Sequence, residues 1–142
     1  MESTIPTQFW GLYAAGELKR VLQFCELGKA LELLASSAED QESSIPDCPA
    51  CEVWGMGFGA VQQFIENFPD PLPSDFTDAI QRLCELGGGL SEGALRCWDR
   101  SIFSSPEWAP IRVEANKALA MLGWGSLMIH ADELLKECRG VI

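Results

Sequence analysis

The chain has 142 residues, a net charge of −11 and an ordinary globular composition, 47% apolar and 22% charged. That length fits one domain over residues 1–142 built on one apolar core, and that composition excludes a disordered chain. The negative charge repels phosphate backbones and anionic lipid surfaces, and the longest apolar stretch, Val53 to Val61, is far short of the ~20 residues a bilayer requires; neither nucleic acid nor membrane is expected as a partner.

In chain order, the aromatic opening around Phe9, Trp10 and Tyr13 is expected to pack down. The first strong helical period covers about Glu17 to Leu34, with Leu18, Val21, Leu22 and Cys25 on one stripe and Gly28 as a place for a bend. Residues 36–49 are polar, acidic and proline-bearing, which predicts a loop. A more apolar helix is expected over Ala50 to Asn67; Gly55, Gly57 and Gly59 lower its propensity and leave a broken helix as the alternative.

Three prolines make residues 68–73 a rigid connector. The next helix starts at Ser74 or Asp75, carries Phe76, Ala79, Ile80 and Leu83, and ends at Gly87-Gly88-Gly89. Ser91 is placed to cap a helix through Ala94, Leu95, Trp98 and Ile102. Another begins between Trp108 and Pro110 and stops at Gly123; the last runs from about Ser126 and closes at Gly140. No segment alternates as a strand would, so the expected fold is all-α, a single compact bundle or irregular array of about six helices. The Cys-Glu-Leu-Gly shared by residues 25–28 and 84–87 is too short to define a repeat.

Six cysteines stand at 25, 48, 51, 84, 97 and 138. Four of them fall within helical patterns where a small apolar side chain serves, and Met1 to Pro6 lacks the features of a secretory signal; reduced thiols and a cytoplasmic location are expected. Cys48-Pro49-Ala50-Cys51 is the one motif with a chemical name. A C-x-x-C at a helix start favours a thiolate through the helix dipole, which suits redox exchange, and the same pair supplies half of a zinc site. No second C-x-x-C exists and His130 is the only histidine, so any further ligands must come from distant positions among Cys25, Cys84, Cys97, Cys138 and His130. Neither glycine-rich piece has the Lys-Ser/Thr ending of a phosphate loop, and no nucleophile motif accompanies His130. No cofactor is expected, and no catalytic residue is assigned.

By elimination the leading expectation is a non-enzymatic acidic interaction protein that docks, and masks or positions, a basic protein partner, as immunity proteins, antitoxins and secretion chaperones do by analogy. No Lys or Arg occurs from Ala30 through Gln81, and that stretch holds Glu39, Asp40, Glu42, Asp47, Glu66, Asp70, Asp75 and Asp78, the acids expected to steer such a partner. Most tryptophans fall on apolar faces; Trp124, between two glycines at a helix junction, is the one placed to serve as an exposed anchor, with packing over the bundle end as the alternative. The alternative function is a thiol-redox or structural-zinc protein centred on Cys48 and Cys51.

Overall fold

A helix starts where the side-chain oxygen of Thr4 accepts the Thr7 N–H at 3.3 Å, with Pro6 in the first turn, where its missing donor costs nothing. This helix, α1 (Ile5–Ala14), opens a computed structural model that describes residues 4–45 and 48–141. Among the described residues the protein is all-α, with no strand, and no helix is long and apolar enough to cross a membrane.

The centre of the molecule is α2 (Leu18–Ala35), unbroken at Gly28. It buries Val21, Phe24, Leu27, Leu31 and Leu34 and packs against α1 and against elements from the rest of the chain, α5 (Ala60–Asn67), α7 (Trp108–Leu122) and α8 (Trp124–Val141). A fifteen-residue helix, α6 (Ser74–Gly88), buries Phe76, Ile80 and Leu83 against α5 and α7. The core thus lies between α2 and the α5–α8 shell, and burial of its large aliphatic and aromatic side chains is the main stabilising term.

The stretch 36–49, expected as a loop, contains a helix, α3 (Ala38–Ser44). Ser37 caps it by accepting the Asp40 N–H at 3.2 Å, and Glu39 and Asp40 lie in its first turn, where acids complement the dipole. Tertiary contacts complete it. Arg112, from α7, donates to Ser36 O at 3.0 Å, to Gln41 Oε1 at 2.8 Å and to Phe103 O at 2.8 Å, while the buried Gln41 donates to Leu33 O at 2.9 Å. Local polarity reads as loop; long-range hydrogen bonds make it helix.

The expected helix over 50–67 is one continuous rod in three parts: α4 (Pro49–Glu52), a π-helical stretch (Val53–Gly59), and α5. The π stretch coincides with Gly55, Gly57 and Gly59, the positions with the weakest hold on α-helical geometry. A β-carbon on Gly57 would lie 2.8 Å from the Leu34 side chain, so the close approach here is by a side chain of α2, not by a backbone.

Two further expectations are corrected. Residues 91–104 are not a helix from Ser91 to Ile102: there are two 3₁₀ turns, Glu92–Ala94 and Arg100–Ser104, with irregular backbone between them. The Asp99 carboxylate accepts the Ser101 N–H at 2.9 Å, a local bond that competes with helix, and Trp98 sits at φ 61. Trp124, the candidate exposed anchor, is buried: Gly123 takes the left-handed conformation (φ 70), α8 begins at once, and the indole lies flat over Gly28 of α2. The exposed tryptophans are instead Trp10, Trp54 and Trp98.

Candidate metal centre

Cys48 occupies the N-cap of α4, with extended backbone, and Pro49 follows at the first helical position, where its fixed φ suits a helix start. Cys51 is three residues on. That spacing brings a side chain back over the cap residue, so both sulfurs point to the same side of the helix end.

Cys97 reaches them from the irregular run between the two 3₁₀ turns. Its approach is fixed on both flanks. Upstream, Ala94 is buried and its carbonyl accepts the Trp108 indole N–H at 3.3 Å. Downstream, Ile102 and Phe103 are buried, and Arg100 donates to Glu42 O at 2.8 Å and to Ile45 O. Between these anchors Trp98 adopts φ 61, a left-handed conformation that a bulky residue holds only when its surroundings impose it. In this conformation the Trp98 N–H donates to Cys48 Sγ at 3.2 Å.

The result is a triad. The sulfurs of Cys48, Cys51 and Cys97 all lie within 4.8 Å of one another, with Cys48 buried beneath and Cys51 and Cys97 exposed above. A single thiolate-bound ion with bonds of about 2.3 Å needs sulfurs about 3.8 Å apart in a tetrahedral shell and about 4.0 Å apart in a planar one, so side-chain rotation of the order of an ångström closes the site. Beside the two exposed sulfurs runs an apolar groove lined by Ala50, Trp54, Gly55 and Leu95 together with Cys51 and Cys97 themselves.

The electrostatics favour a thiolate at the buried position. The Cys48 thiol is drawn down to about 7, chiefly by the backbone N–H of Cys51 at the helix start; burial opposes this, and the Trp98 N–H and the other two thiols add to it. Cys51 is pushed up to about 11, first by its hydrogen bond to Cys48 and by the charge there. One proton leaves the triad easily and the next is held, as coupled sites require. The remaining cysteines are different in kind. Burial pushes Cys25 up to about 12 and raises Cys84 and Cys138, so these three are protonated side chains of the protein's interior and half-buried faces.

Of the residues singled out in the sequence, Cys48 and Cys51 come together, and of the distant candidates for further ligands Cys97 joins them while Cys25, Cys84, Cys138 and His130 do not. The acids do not join this site. Glu39 and Asp40 are exposed on α3, Asp75 and Asp78 on α6, and Glu66 at the end of α5, where Gln62 donates to it at 3.1 Å. Asp70 pairs with Arg20 at 3.3 Å, and Glu42 is half-buried and accepts a bond from Ser104. Asp47 lies outside the described residues. Trp124 is in the core, and His130 is exposed with its ring against Trp10, 5.6 Å between centroids. No protein family description matches this sequence, and no curated protein or solved structure is significantly similar to it.

Proposed function

We propose that this is a thiolate metal-binding protein in which Cys48, Cys51 and Cys97 together hold one soft metal ion. The observation that carries the reading is the convergence of three cysteine sulfurs, from two segments 46 residues apart in sequence, to within 4.8 Å. All-sulfur donors bind thiophilic ions such as zinc and copper(I) in preference to magnesium or calcium. The bound ion joins the start of α4 to the run through Cys97 and Trp98, a segment that lacks regular hydrogen bonding of its own. Metal binding and local order are then one equilibrium.

The test is anaerobic titration of the reduced, metal-free chain against a chromophoric chelator. One ion per chain is expected. Serine at position 48, 51 or 97 is expected to weaken binding by about 100-fold or more, and serine at Cys84, half-buried on α6, to leave it unchanged. Equal affinity in all four variants would remove the proposal.

A second reading keeps the acidic docking function. Among the described residues Glu39, Asp40, Asp75 and Asp78 are exposed and make no ion pair, which supports an electrostatic footprint for a basic protein. Weighing against it, Arg100 and Arg112 bring positive charge from the C-terminal half onto α3, and Arg20 neutralises Asp70. Association with a basic partner that slows steeply with added salt would support this reading, and a salt-independent rate would end it.

A further inference from the structure

We infer that the ion this centre selects is monovalent copper, held by three sulfurs alone; the inference rests on the reading above that Cys48, Cys51 and Cys97 bind metal at all. Three features of the site point this way.

The donors are the first. Three thiolates are soft ligands, and soft ligands favour copper(I), zinc or iron–sulfur units. Sulfurs all within 4.8 Å of one another suit a single ion and leave no room for a cluster between them.

The surroundings of the exposed sulfurs are the second. The groove that Cys51 and Cys97 share is lined by Ala50, Trp54, Gly55 and Leu95. The only polar side-chain atom these four contribute is an indole nitrogen, which is a donor and has no lone pair to offer a metal. Zinc in a protein site takes four ligands, the fourth being a side chain or a water. A closed-shell monovalent ion is satisfied by three ligands in a plane, which the three sulfurs supply with no fourth side chain from the groove.

Charge is the third. Three thiolates around a monovalent ion leave two negative charges uncompensated, and the site must spread them. The Trp98 N–H, aimed at Cys48 Sγ from 3.2 Å by a left-handed backbone, and the start of α4 beneath the same sulfur both serve that purpose. A left-handed Trp that places its amide on the sulfur and its indole in solvent, 74% exposed, is difficult to explain by packing.

The experiment uses the full chain, fully reduced and free of oxygen. Copper(I) is supplied as its bathocuproine disulfonate complex and zinc as a simple salt, and the loaded protein is examined by X-ray absorption. The expected result is one copper per chain with a shell of three sulfurs, undisturbed by about a 100-fold excess of zinc, lost with serine at 48, 51 or 97, and unchanged in Asp47→Asn. Copper held by two sulfurs, or by several sites that include Cys25, Cys84 or Cys138, would overturn the assignment. So would four-coordinate zinc that resists copper and loses an oxygen ligand in Asp47→Asn; that outcome refutes copper while leaving the metal-centre reading intact. Binding of neither ion would overturn both.

Discussion

Replacing Gly28 by alanine sets two known effects against each other. In the interior of α2 alanine gains about 1 kcal/mol of helix propensity over glycine. The added β-carbon, however, would lie 2.1 Å from Trp124 Cζ3 and 2.4 Å from its Cε3 and Cη2. Carbon atoms rest at about 3.5–4.0 Å, so the indole must retreat by roughly 1.5 Å. It has little freedom to do so: Trp124 is 4% exposed and its backbone is fixed by the left-handed Gly123, itself pressed against Pro6. Overpacking of this kind costs about 1–3 kcal/mol, and a rigid ring met along its face belongs at or above the top of that range. The net expectation is a loss of about 2 kcal/mol, or roughly 5–8 °C in Tm for a chain of this size. Urea denaturation measures it, with Gly88→Ala as the control, since a β-carbon there meets nothing within 4 Å. A Gly28→Ala protein as stable as Gly88→Ala would mean that Trp124 does not rest on α2, and would return it to the surface as an available anchor.

The other expectations are as direct. Arg112→Lys keeps the charge but loses the fork that reaches Ser36, Gln41 and Phe103 together; at least one buried acceptor is left unmade, a cost of about 2–3 kcal/mol by chemical denaturation, with α3 the first segment to gain hydrogen exchange. The Cys48 thiol, at about 7, lies below the usual unfolded value, so its thiolate stabilises the fold above the unfolded pKa and that contribution is lost as pH falls through about 7. Ultraviolet thiolate absorbance of the metal-free protein should show one ionisation near neutrality that Cys48→Ser abolishes; a first ionisation above pH 8 would contradict the geometry around that sulfur. Trp124→Ala should cost about 3–5 kcal/mol, the range for a large buried aromatic, where an exposed anchor would cost almost nothing.

What the sequence discloses and what it withholds follow from the range of the forces involved. α2, α6, α7 and α8 are legible because each repeats apolar residues at helical spacing; Gly123 ends α7 as expected, whereas α8 runs through Gly140, expected to close it, to Val141. α3 is not, because its stability comes from Arg112 and Arg100, more than fifty residues away. The helix expected from Ser91 fails for the opposite reason: its apolar spacing is real, and Ala94, Ile102 and Phe103 are buried, but they anchor two 3₁₀ turns on either side of an irregular run. A helix there leaves Cys97 one of several distant candidate ligands; the irregular run is what brings it to Cys48 and Cys51. The C-x-x-C motif supplied two of the three sulfurs; nothing in the sequence singles Cys97 out from Cys25, Cys84, Cys138 and His130 as the third. The acids of residues 39–78 are legible as a charge run, but the arginines that partly answer them come from elsewhere in the chain.

The proposed metal centre depends on Cys97 joining Cys48 and Cys51 around one ion. Native mass spectrometry of the reduced chain, offered one equivalent of a thiophilic ion, addresses this directly, because it counts both ions gained and thiol protons lost. The predicted spectrum shows one ion per chain in the unaltered protein and the metal-free mass for Cys97→Ser. Retention of the ion by Cys97→Ser, or its absence from the unaltered protein, would contradict the account.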